Sequence, residues 1–314
     1  AEMAEAVGDT ASANKWKAYA ERIRKAMLRE LVVGDFNNKM WRQSPYSVLP
    51  SKQDALVQAW FAIYYDGLDP LALDAKMTPI TRNTLDRQLS YPYGHAPVLG
   101  MGYGQGWITK AALVLDYMDD AGKLLANIPK YVYDKNMDYV DEAKGLDWRK
   151  FLWIIPEGTN IMDDGRWHRI GDLSNGANQG PVMHALELCA GVDDTHPGDL
   201  KIIPRAPEPL TGIEVENFFT VIPDGKGGFK RARVDYSFDR ENMSFELESD
   251  IALPTLSVRI GPFETEEAAN AIIAKSRLPE NSTQRVVASG KYRNSTAWWL
   301  WVEGMKNINR LSIQ

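Results

Sequence analysis

The sequence is poor in cysteine and histidine: Cys189 is the single thiol, and there are four histidines in 314 residues. One thiol excludes any intrachain disulfide and leaves the redox compartment open. Cys189 lies in an apolar helical run, Val182–Ala190, with no cation beside it in sequence, so a buried structural thiol is expected. No His-x-x-x-His or Cys/His spacing occurs, which argues against a catalytic zinc site, and no cofactor is expected. Gly100–Gly106 is rich in glycine but has the spacing of neither a dinucleotide fingerprint nor a phosphate-binding loop. No apolar run approaches the ~18 residues of a membrane span. The longest apolar-rich stretch, Ala55–Tyr65, is broken by Gln58. Basic residues are also short, 36 against 42 acidic for a net charge of −6, which speaks against a nucleic-acid partner.

Aromatics are abundant. There are 10 Trp and 13 Tyr, and several cluster between Tyr91 and Trp167. Trp couples a large apolar face to one N–H donor, so an excess serves stacking surfaces as well as core. The chain length suits roughly two domains.

The first 195 residues alternate helix and turn. Ala1–Val7 reads as a helix without a start signal, Gly8-Asp9 as a turn, and Ala13–Leu31 as a second helix. Trp16, Tyr19, Ala20, Ile23, Met27 and Leu31 share one face of that helix. Lys52–Tyr65 is apolar nearly all round. Asp69-Pro70 and Thr78-Pro79 read as caps followed by proline at the first helical position. Gln105–Met118 and the segment around Leu124–Val132 read as an antiparallel pair turned at Asp119-Asp120, and Pro181–Ala190 as a last helix ending at Gly191. No fixed repeat length accompanies these hairpins. The long connections Asp35–Pro50, Ser90–Gly104 and Asp138–Asn178 are rich in Gly, Pro, Trp and Tyr, the composition of functional loops.

After Gly191 the pattern changes to strands: Ile213–Ile222, Phe229–Phe238, Ser244–Glu248, Leu256–Ile260, Arg285–Val287, Ala297–Glu303 and Ile308–Ile313. One helix, Thr265–Lys275, interrupts them, with Thr265 as its cap. Trp299 and Trp301 fall on one strand face and Trp298 on the other, which suits core packing. The expected fold is α+β and multidomain. An (α/α) barrel, a toroid of helical hairpins incomplete at its N-terminal end, occupies 1–195, and an antiparallel β-sandwich occupies 196–314.

Helical hairpins, then Asn178–Val192 (NQGPVMHALELCAGV), then Pro197–Pro204 (PGDLKIIP), then strands, resemble the end of a six-hairpin glycosidase. The resemblance is to α-L-rhamnosidase-like glycoside hydrolases of family 78 and relatives. In these, an Ala-Gly-Ile/Val turn closes the last barrel helix, and a Pro-Gly-x-x-x-Ile-x-Ile-x-Pro strand opens the C-terminal domain. It implies a bacterial, secreted or periplasmic enzyme cleaving glycosidic bonds in poly- or oligosaccharides. It also implies a missing upstream half of the barrel that carries the general acid. A catalytic-base glutamate follows a Trp in the family's corresponding loop. The resemblance places it at Glu157, where the local sequence is Trp-Ile-Ile-Pro-Glu.

The residues themselves support carboxylate chemistry. Glycoside hydrolysis commonly uses two carboxyl groups flanking the scissile bond. Glu157, in the segment DWRKFLWIIPEGTN from Asp147 to Asn160, follows an apolar run and precedes a glycine at a loop start. Burial among such residues tunes a carboxyl for proton transfer. The alternative is a structural carboxylate paired with Arg166 or Arg169. Asp172, in a Gly/Asn-rich loop, is the second candidate; its alternative is to hold backbone amides or orient Arg169. Asp147 is the third. Trp148, Trp153, Trp167, His168 and His95 are the candidates for gripping the sugar. An inverting glycoside hydrolase is the leading expectation. A polysaccharide lyase and a non-catalytic carbohydrate-binding protein are the alternatives. Expected partners are the carbohydrate and the missing N-terminal part, with no nucleic acid and no membrane.

Overall fold

A computed structural model describes residues 1–35, 37–42, 45–46, 76–90, 102–133, 140–141, 146–147, 158–161, 167–170 and 176–314. The described helices are α1 (Glu2–Ala6), α2 (Thr10–Glu30), α3 (Met77–Leu89), α4 (Gly102–Val114), α5 (Met118–Tyr133), α6 (Gly176–Ala190) and α7 (Glu266–Lys275). Three short hairpins, β1–β2 (Val32–Val33, Met40–Trp41), β3–β4 (Val140–Asp141, Leu146–Asp147) and β5–β6 (Gly158–Ile161, Trp167–Ile170), accompany them. The largest body is a seven-stranded sheet: β7 (Val192–His196), β8 (Asp199–Ile202), β9 (Gly212–Pro223), β10 (Phe229–Asp239), β11 (Ser244–Phe263), β12 (Thr283–Tyr292) and β13 (Ser295–Ile313).

This architecture corrects the expected fold and, with it, the resemblance to six-hairpin, rhamnosidase-like glycosidases. Among the described residues the chain is α+β, with few helices beside a large curled sheet, and no (α/α) barrel is seen. Helix α4 shows the physical reason. A spacing argument gives it one apolar face, yet every described side chain from Ile108 to Val114 is buried. It is a central helix with α5 and α6 packed against it, not one wall of a ring. Helix α2 does the opposite: on its apolar face Trp16, Tyr19 and Ile23 are exposed. The turn between α4 and α5 lies at Leu115–Tyr117, so Asp119 and Asp120 sit in the first turn of α5, where the helix dipole favours carboxylates. Helix α3 begins at Met77, ahead of the expected Thr78 cap.

The C-terminal strands also differ from the expected sandwich of short strands. Each of two pairs of predicted strands is one continuous strand, β11 of 20 residues and β13 of 19. Irregularities in their register, at Glu248/Leu253, Leu256/Val258 and Ile260/Phe263, let the pair bend past Pro254. Order across the sheet is β12-β13-β11-β10-β9. The first half of β11 pairs with β10, and the second half pairs in parallel with β8. One strand thus feeds two neighbours on the same side, and the sheet curls. Val234, Phe238, Phe245, Leu256, Val258 and Leu300 fill its inner face, all at 0 to 1% exposure.

Thr265 caps α7 as read, its side chain accepting from Ala268 N, whereas Asp9, read as a turn residue, accepts from Ser12 N and caps α2, which begins at Thr10. Gly191 ends α6 with φ +74°, and an added Cβ would lie 1.9 Å from Ile203 O. Trp299 and Trp301 are buried in the core.

Candidate functional site

The β5–β6 hairpin lies within the connection predicted as a long loop. Its antiparallel register is Gly158↔Ile170, Thr159↔Arg169, Asn160↔His168 and Ile161↔Trp167, and β5 rests against α4. Trp167 and His168 are therefore placed, by backbone, on β6. Asp147 is placed on β4, opposite Val140. Glu157, Asp172, Trp148, Trp153 and His95 lie outside the described residues. The open end of the hairpin is formed by Gly158 and Ile170. In the chain, Glu157 is the residue before Gly158, and Asp172 is the second after Ile170. Both candidate carboxylates are thus tethered to the same end of one hairpin.

A polar centre that sequence reading missed lies between the helices and the sheet. Asp116, in the α4–α5 turn, has φ +61° and no exposure. Arg259 of β11 donates from Nη1 to Oδ1 at 3.0 Å and from Nη2 to Oδ2 at 2.5 Å. Ser289 of β12 donates to Oδ2 at 2.6 Å, and Arg205 Nε lies 3.5 Å from Oδ1. Trp299 lies under the Arg259 guanidinium, 3.9 Å from ring centroid to Cζ, and donates its indole N–H to Ser289 O. Burial pushes the Arg205 guanidinium down to about 10, with Asp116 pulling the other way. Two guanidiniums on one carboxylate, all sealed from water, form a structural clamp between the helices and the sheet. Asp116 O also accepts from Lys291 N, fixing the turn to β12. No local motif announces such a centre, because its members come from five separate stretches of the chain.

Beside it, Cys189 is buried as expected, and burial pushes its thiol up to about 12, away from thiolate chemistry. The exposed His184 of α6 has Nδ1 3.3 Å from Lys110 Nζ and Nε2 3.9 Å from Glu187. Burial lowers the pKa of Lys110, opposed by Glu187. Among the described residues, no group of three His, Cys, Asp or Glu side chains could hold a metal ion, and no helix is long and apolar enough to cross a membrane.

On the outer face of the sheet, a groove of about 600 Å³ crosses β9, β10, β11 and β13. Glu214, Glu216, Asp235, Glu246 and Glu248 line it, with Arg310 donating to Glu248 at 2.8 Å. No family model matches the chain, and no curated protein matches it.

Proposed function

We propose that the chain hydrolyses glycosidic bonds of a poly- or oligosaccharide, with Glu157 and Asp172 as the acid/base pair. The reading does not draw on a helical barrel. The observation that carries it is the register of the β5–β6 hairpin, which tethers both carboxylates to one end. Chain connectivity alone limits their Cα atoms to no more than about 17 Å apart. Trp167 and His168 lie on β6 of the same hairpin, so the residue types that would stack on and hydrogen-bond a sugar occur in the same stretch of chain.

In this reaction one carboxylic acid protonates the departing glycosidic oxygen. The other, as carboxylate, takes a proton from water attacking the anomeric carbon from the opposite face. That order inverts the configuration and requires a gap of about 6.5–9.5 Å between the carboxyl groups, room for the water. The experiment is release of reducing ends from a panel of oligosaccharides. Wild type turns over at least one, and Glu157→Gln lowers kcat by about 100-fold or more with an unchanged circular-dichroism spectrum. Near-normal turnover by Glu157→Gln contradicts the assignment. An unsaturated, ultraviolet-absorbing product assigns a lyase instead, and binding without turnover assigns a carbohydrate-binding protein.

A further inference from the structure

The outer face of the sheet is divided by charge and polarity. Strand β10 pairs with β11 only from Val234 to Asp239, but its ladder with β9 continues to Phe229↔Pro223. The far part of β9–β10 therefore forms a two-stranded arm beyond β11. Its inner face, Thr220, Ile222, Ala232 and Val234, is buried. Its outer face carries Phe219, Val221 and Phe229, exposed by 55%, 41% and 65%, interleaved with the exposed Arg231 and Arg233. Large apolar groups side by side and open to water mark an interaction surface. Register places Arg233 opposite Phe219 and Arg231 opposite Val221. On the same face, the next rows are Asp235 and Glu248, then Glu214, Ser237 and Glu246, the acidic groove.

We propose that this face is a two-fold interface between two copies of the chain, each laying its arm over the other's groove. Closed pairs of identical subunits need a surface complementary to itself under a two-fold rotation. An arm of phenylalanines and arginines beside a groove of carboxylates has that property. The axis passes near the Arg233–Asp235 pair, whose Nε and Oδ2 are 3.6 Å apart, where the basic and acidic halves meet. A cationic partner of another kind would neutralise the groove but leave the arm uncovered. An anionic or apolar partner would do the reverse. A second copy answers both halves at once.

Analytical ultracentrifugation of the 314-residue chain tests this. The expected result is a dimer at low salt that dissociates as salt rises, because the rim contacts are screened. Arg231→Glu/Arg233→Glu and Glu246→Lys/Glu248→Lys are each expected to weaken association at least tenfold, with unchanged circular dichroism. An equimolar mixture of the two variants is expected to re-form dimers, since each supplies the charge the other lost. A wild-type chain that stays monomeric at low salt overturns the proposal, as does a mixture that fails to re-associate. A monomer whose groove binds polylysine assigns the face to a cationic partner, and also overturns it.

Discussion

Asp116 grips Arg259 through both carboxylate oxygens although 143 residues separate them in the chain. The pair joins the turn between two helices to the longest strand of the sheet, out of contact with water. Removing one member of a buried pair strands the other's charge and typically costs about 3–5 kcal/mol. Asp116→Asn, which leaves Arg205 and Arg259 facing each other, is expected to lose that much in urea unfolding. Arg259→Met is expected to lose a similar amount. The double variant is expected to lose clearly less than the sum, because the two sites share one interaction.

Gly290 makes that clamp possible. Its φ is +81°, and a Cβ there would lie 2.0 Å from Asp116 O, a backbone atom that cannot swing aside. Gly290→Ala is therefore expected to cost about 2–4 kcal/mol, through backbone strain and displacement of the α4–α5 turn. Thermal unfolding followed by circular dichroism measures it. An unchanged melting temperature contradicts this packing.

Three carboxylates set an acid limit on stability. Asp9, Asp224 and Asp239 each accept backbone N–H bonds, and each is held below the ordinary aspartate value. Their charged forms are favoured by folding. The stability they supply is fully present above the unfolded aspartate value, about 3.9, and is lost as pH falls through the lower folded values. Urea midpoints are expected to hold steady from neutral pH down to about 5 and to decline below about 4. Asp224→Asn keeps an acceptor for Lys226 N and Gly228 N but removes the charge. It is expected to flatten part of that decline.

The thiol of Cys189 offers a probe of the same core. Held up near 12 and buried, it is expected to resist alkylation at mildly alkaline pH in the folded chain and to react once urea unfolds it. Rapid labelling of the native chain contradicts its burial on α6 in the helical core with Leu85, Ile108 and Leu188.

Much of the secondary structure was legible in the sequence, because local chemistry fixes it. Thr265 with two glutamates behind it announces α7, and the alternating residues of β9 and β10 announce a hairpin with Asp224-Gly225 in its loop. The architecture was less legible. Ile108, Ala111 and Ala112 fit an amphipathic helix by spacing, and only the long-range packing reveals that α4 has no solvent side from Ile108 to Val114. The expected strands end at Glu248 and Glu303, whereas register shifts carry β11 past Pro254 and β13 past Gly304. Asp116 looked like one more helical residue. Its partners Arg259 and Ser289 follow 143 and 173 residues later, a separation no local pattern reports. At the candidate site, Glu157 and Asp172 were picked out by loop composition. The hairpin that ties them together was missed, because Gly158–Ile161 and Trp167–Ile170 are short and flanked by turn formers.

The most direct trial of the account compares kcat/KM for wild type, Glu157→Gln, Asp172→Asn and the double variant on one cleaved oligosaccharide. Two groups acting in a single proton-transfer step each contribute about 100- to 10,000-fold, and their losses do not multiply. The account predicts large losses in both single variants and a double variant scarcely worse than the weaker one. Full activity in either single variant, or losses that multiply as for independent groups, contradicts it.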